Sequence, residues 1–195
     1  MNNNLLLGVT GSIAASKTEE LHSLLVDSYN IKIISTTEGL KYINKSFITN
    51  HNVLSSWDDI PGSPHIELSR WADKVIIYPA TANFIAKLSN GISDDLLLST
   101  MLMYKKSIYI APAMHEEMYL DRETQANITN LSNKHIFCGP RYGNLDIGDQ
   151  GLGRLLEPTE ILQIINGNNK KVIVTAGPTY EKIDSVRGIT NSSSG

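Results

Sequence analysis

Short apolar runs alternate with longer amphipathic stretches along most of this chain, and that alternation constrains the fold more than any other feature. Residues 5–10, 31–36, 74–78, 107–111 and 135–138 have strand length and, mostly, strand composition. Between them, residues 13–29, 81–88, 94–104 and 122–131 carry apolar side chains at helical spacing. Leu21, Leu24 and Leu25 make one stripe; Leu97, Met101 and Leu102 make another. Alternation of this kind builds a parallel sheet covered by helices on both faces. Right-handed crossovers then favour a doubly wound, Rossmann-like α/β sandwich. At 195 residues, 41% of them hydrophobic, the chain can fill one such core but not two.

Charge and composition exclude several classes of function. A formal charge of −3 gives no net pull toward nucleic acid or an anionic membrane. No run approaches the ~20 apolar residues of a membrane span. The Asn-rich start lacks the basic flank of a secretory signal. One cysteine, Cys138, cannot form an intrachain disulfide and fits a reducing compartment. The chain therefore reads as soluble and cytoplasmic.

The C-terminal part differs in character. Residues 141–154 contain Gly143, Gly148, Gly151 and Gly153 and read as a mobile loop. Residues 158–165 return to a helical pattern. Gly167-Asn168-Asn169-Lys170 reads as a linker, dividing the chain into residues 1–168 and a short segment 169–195 that opens on a strand-like run at 172–175. There is no internal repeat.

Four motifs carry possible chemistry, and each has a plainer explanation. Gly8-Val9-Thr10-Gly11-Ser12-Ile13 joins the first strand to the first helix. Glycines there let backbone approach a ligand, and the helix start offers unpaired N–H groups to a phosphate. Equally, Gly11 is a tight turn and Ser12 an N-cap. The second strand ends in Ser35-Thr36-Thr37, with no acidic residue to hold a ribose, which suits a mononucleotide such as FMN better than NAD. Pro79-Ala80-Thr81-Ala82-Asn83 follows the third strand; its small residues admit a flat ring, while Thr81 also suits a helix cap. His65, before the third strand, is a general base or a surface histidine. Pro112-Ala113-Met114-His115 follows the fourth strand, where His115 binds a carboxylate or is simply exposed. His65 and His115 lack a local ligand cluster and Cys138 lacks a cysteine partner, so no metal site is expected.

Taken in this order and spacing, the motifs resemble the active-site set of the flavin-dependent cysteine decarboxylases, from Gly8 through Arg154. The resemblance implies an FMN-binding Rossmann-like enzyme with the cofactor between subunits of a trimer, often assembled into a dodecamer. Gly11, Ser12 and Ile13 match the family's phosphate turn, Thr36 its hydroxyl after the second strand, and Thr81, Ala82 and Asn83 its flavin motif. His65 matches the active-site histidine. His115 stands where the family's asparagine holds the substrate carboxylate, Met118 is a substrate contact, and Arg154 closes the flap motif, able to reach a substrate or cofactor phosphate. Thr175-Ala176-Gly177-Pro178-Thr179 and the tail to Gly195 resemble the opening of a phosphopantothenoylcysteine synthetase domain. That points to the branch acting on phosphopantothenoylcysteine in coenzyme A biosynthesis and to a truncated bifunctional protein without synthetase activity.

The implied chemistry oxidises the substrate thiol to a thioaldehyde, loses carbon dioxide and restores the saturated thiol. Two departures from the family pattern matter. Tyr119 replaces a tryptophan, and Ile147 stands at the flap position of a cysteine that donates a proton. A non-catalytic flavin-binding regulatory subunit and a peptidyl-cysteine decarboxylase are the alternative functions.

Overall fold

The computed structural model describes residues 3–167, 180–182 and 188–190. Its centre is a five-stranded parallel sheet in the order β2-β1-β3-β4-β5. The strands are β1 (Asn3–Val9), β2 (Tyr29–Ser35), β3 (Lys74–Ala80), β4 (Tyr109–Pro112) and β5 (Ile136–Phe137). Alternation along β1 shows why both faces must be covered. Leu5, Leu7 and Val9 are buried on one side, packed with α1 (Thr18–Leu25) and α8 (Pro158–Ile165) through Leu21, Leu25, Ile161 and Ile165. Leu6 is buried on the other, against α3 (Pro64–Trp71), α4 (Ala82–Ser89), α5 (Leu96–Met103) and α7 (Arg122–Ser132). Each such leucine contributes about 1.5–3 kcal/mol by leaving water.

Gly8 belongs to this packing rather than to a ligand turn. A Cβ there would lie 2.6 Å from Ile77 Cδ1 and 2.8 Å from Leu97 Cδ1, so the missing side chain is what lets α5 close onto the sheet. The doubly wound architecture expected from the alternation is the one observed.

Several boundaries differ from the sequence expectation. The helix expected over 13–29 is a 3-10 turn, Ile13–Lys17, followed by α1; it stops at Leu25, where Ser28 N–H turns back to the Leu25 carbonyl, and β2 already starts at Tyr29. The stripe assigned to α5 is too narrow: residues 96–101 are all buried and Leu102 is half exposed. Helices α2 (Lys45–Asn50) and α6 (Glu116–Leu120) were not expected. Nor was α3, whose first turn contains His65; Pro64 at its start and Glu67 in its first turn are ordinary helix-start signals.

The expected mobile loop at 141–154 is instead an antiparallel hairpin of β6 (Arg141–Asn144) and β7 (Gln150–Arg154). Beside β2, Leu54 adds a short parallel bridge, with Ser35 N–H donating to the Leu54 carbonyl (2.8 Å) and Leu54 N–H to that of Ile33 (2.9 Å). At the opposite edge β5 has two residues. A separate antiparallel pair joins β8 (Tyr180–Lys182) to β9 (Gly188–Thr190). The expected division at 168/169 and the run at 172–175 lie outside the described residues. Among those described, no helix is long and apolar enough to cross a membrane.

Candidate functional site

The chain leaves β1 toward β2 on one side and returns through β3 on the other, so the sheet reverses direction of winding between β1 and β3. Connections from the carboxyl ends diverge there and open a crevice. A cavity of about 620 Å³ occupies it, of the size that small ligands and cofactors use. Thr10 stitches its floor: the buried hydroxyl donates to the Pro79 carbonyl (2.8 Å) and accepts from Thr81 N–H (3.0 Å), tying the end of β1 to the end of β3.

Gly11, Ser12, Ile13, Thr36, Thr81, Ala82 and Asn83 all line this one cavity. Ser12 caps the 3-10 turn by accepting from Ala14 N–H (3.3 Å). Gly11 is needed for closeness: a Cβ would fall 2.6 Å from Glu38 Cβ, inside the turn after β2. That turn is held by Thr36, whose hydroxyl accepts from Gly39 N–H (3.0 Å). Thr81 caps α4 through Phe84 N–H (3.3 Å). The plain capping roles of Ser12 and Thr81 therefore hold alongside their place on the cavity wall.

Sequence reasoning missed the acidic part of the lining. Glu38 pairs with Lys41 and Asp94 with Lys87 (2.6 Å), so neither carboxylate is left unopposed. Asp95 caps α5 through Leu98 N–H (2.7 Å), and burial pushes its carboxyl above the usual range. Leucines at 96–98 hid that cap within an apolar run.

The substrate-side candidates are split. Met118 and its neighbour Met114 line the cavity; His115 and Arg154 do not. His115 stands at the start of α6 without a side-chain capping bond and is held between carboxylates, Nδ1 against Glu117 and Nε2 3.1 Å from Asp149 of the hairpin. Its pKa is raised, chiefly by Glu117 and then by Asp149. Arg154 Nη2 donates to Glu157 Oε1 (2.7 Å). The hairpin lies on the loop after β4: Met114 N–H donates to the Gly153 carbonyl (3.2 Å) and Leu152 N–H to Glu116 Oε1 (2.7 Å).

His65 is not among the cavity-lining residues of its own chain. It sits on α3 with its ring edge-on to Trp57 (5.0 Å), and its buried Nδ1 has no hydrogen-bond partner among the described residues. Cys138 is buried and free, its thiol pushed up to about 12 mainly by burial. No cluster of three or more potential metal ligands occurs among the described residues.

The family model described as Flavoprotein matches residues 1–170. The chain belongs to the flavoprotein family. A second model, the C-terminal domain of DNA/pantothenate metabolism flavoproteins, matches residues 167–195. Among curated relatives, the coenzyme A biosynthesis bifunctional protein CoaBC of Haemophilus influenzae is 39% identical over 98% of this chain and 52% of its own length. The chain thus spans about half the length of the curated relatives it matches. Among solved structures, a PPC decarboxylase mutant complexed with pantothenoylaminoethenethiol superposes with a TM-score of 0.80 at 27% identity, covering 86% of this flavoprotein and 98% of that chain. The FMN-binding protein AtHal3 gives 0.77 at 27% identity, covering 86% and 97%.

The cofactor class is a flavin, and the cavity fits one. Its lining combines the close glycine turn at Gly11, the hydroxyls of Ser12, Thr36 and Thr81, the small side chain of Ala82 and the amide of Asn83, a donor set suited to a phosphate and a flat polar ring.

Proposed function

We propose that this flavoprotein is an FMN-dependent decarboxylase acting on phosphopantothenoylcysteine in coenzyme A biosynthesis. It would work in the cytoplasm as a homo-oligomer, a trimer or trimers assembled to a dodecamer, with FMN between subunits. One observation carries the reading: the seven residues expected to hold the cofactor converge on one cavity at the switch point. The relatives' names and the match of residues 167–195 support the substrate, and disfavour a peptidyl-cysteine substrate.

When bound, the flavin supplies the redox chemistry that gives the departing carboxylate's electrons somewhere to go. Gly11, Ser12, Ile13 and Thr36 hold the phosphate, and Thr81, Ala82 and Asn83 orient the ring. Met118 lies against the substrate. His115 is the candidate for the substrate carboxylate; Glu117 and Asp149 favour its charged form but engage both ring nitrogens, so it would have to leave one of them to reach a substrate. Arg154 is the candidate for a phosphate, and would have to share or leave Glu157 to reach one. His65 is the catalytic base, acting in the cavity of a second copy, since it does not line its own.

Purified protein is expected to be yellow and to convert phosphopantothenoylcysteine to carbon dioxide and phosphopantetheine. Yellow protein that leaves this substrate untouched would favour the non-catalytic flavin-binding alternative. A colourless preparation that takes up no FMN would overturn the whole reading.

A further inference from the structure

Arg141 and Arg154 are register partners at the open end of the β6–β7 hairpin. Like charges directly opposite each other on a strand pair repel. Glu157, capping α8, lies between them: its Oε1 accepts from Arg154 Nη2 (2.7 Å) and Arg141 Nη2 (3.1 Å). Its Oε2 accepts from Lys17 Nζ at 2.5 Å. Glu160 takes the other arm of Arg141 (3.0 Å) and accepts from the Glu157 backbone N–H (2.8 Å). Three cations thus meet one half-buried carboxylate, and Lys17 first, then Arg154, holds its pKa below the usual range against the opposing effect of burial.

The two ends of this cluster join segments whose neighbours line the cavity. Lys17 closes the 3-10 turn that begins at Ile13, directly after the Gly11-Ser12 cradle. The hairpin, through Gly153 and Leu152, fixes the loop that carries Met114. We propose that Glu157 is a positioning residue that couples the phosphate turn to the hairpin, so that ordering the turn with an anionic cofactor also seats the hairpin. The coupling is reciprocal: a loosened hairpin weakens the hold on the cofactor by the same factor. This rests on the reading that the cavity takes FMN.

Hydrogen exchange of the backbone amides in residues 141–154 tests the proposal, measured on the full chain with and without FMN, alongside FMN titration by fluorescence. In the unsubstituted protein FMN should slow exchange in the hairpin. In Lys17→Met, FMN should still bind, weakened about fivefold or more, while its effect on the hairpin disappears. In Glu157→Gln the hairpin should exchange about fivefold or more faster even without FMN, because the two arginines lose the charge between them. Undiminished FMN protection in Lys17→Met, or an unchanged hairpin in Glu157→Gln, would overturn the proposal. Should the unsubstituted protein bind no FMN, the cofactor reading fails and the coupling with it. The ligand-free comparison of Glu157→Gln would then still decide whether Glu157 positions the hairpin.

Discussion

At the scale of single residues, His115 shows how two carboxylates set a histidine's response to pH. Its folded pKa is raised above 6.5, so the contact it makes with Asp149 is fully present below the unfolded value and is lost as pH rises through the folded one. An NMR titration should place the His115 pKa above the ordinary histidine value. Glu117→Gln should lower it more than Asp149→Asn, because Glu117 is the larger cause. An unchanged titration in both variants would remove the carboxylate pair as the cause. His65 invites a different test. His65→Asn should keep FMN and lose turnover by about 10²–10⁴-fold, the usual cost of removing a general base. Turnover at the unsubstituted rate would reduce His65 to a packing partner of Trp57. Both histidines were legible in the sequence as residue types at suggestive positions. Their surroundings were legible only in part: Glu117 is two residues from His115, but Asp149 reaches it through the return of a hairpin from more than thirty residues away.

At the scale of elements, the strands were legible because a parallel strand buried on both faces reads as an unbroken apolar run, as at Leu5-Leu6-Leu7 and Val75-Ile76-Ile77. The hairpin was not legible, because its glycines suggest freedom and serve close approach. A Cβ on Gly153 would lie 2.1 Å from the Met114 carbonyl oxygen, a backbone atom with little room to give. On Gly151 it would lie 2.9 Å from Glu116 Cβ, a milder overlap that a shift of a few tenths of an ångström relieves. Gly153→Ala should therefore cost about 1–3 kcal/mol, the usual range for overpacking, and Gly151→Ala distinctly less. Thermal unfolding of the two variants checks the order. A Gly153→Ala protein as stable as its parent would mean that β7 does not depend on this approach. Helix α3 was missed for another reason. Its eight residues follow Gly62-Ser63-Pro64, and the punctuation hid a start that Pro64 and Glu67 also signalled.

At the scale of the whole molecule, the seven residues proposed to hold FMN line one cavity and His65 does not, so in the proposed reading the catalytic base comes from a second copy. Mixing inactive His65→Asn protein with inactive Asn83→Ala protein, under conditions that exchange subunits, should restore a fraction of activity. No restoration, with exchange demonstrated, would place catalysis within one chain. Cys138 should take no part: Cys138→Ser is expected to turn over normally and lose about 1–3 kcal/mol of stability, as a hydroxyl replaces a buried thiol. A stalled reaction in that variant would make it the missing proton donor. The two sheet edges bear on how such copies can meet. A bare edge invites a neighbour to continue the ladder with its own backbone. Here Leu54 occupies part of one edge and the other ends in a two-residue strand. The central sheet therefore offers a second copy little ladder to extend, which leaves contacts between copies to surfaces where a partner is chosen by shape and charge, away from the sequence-blind pairing that leads to fibres.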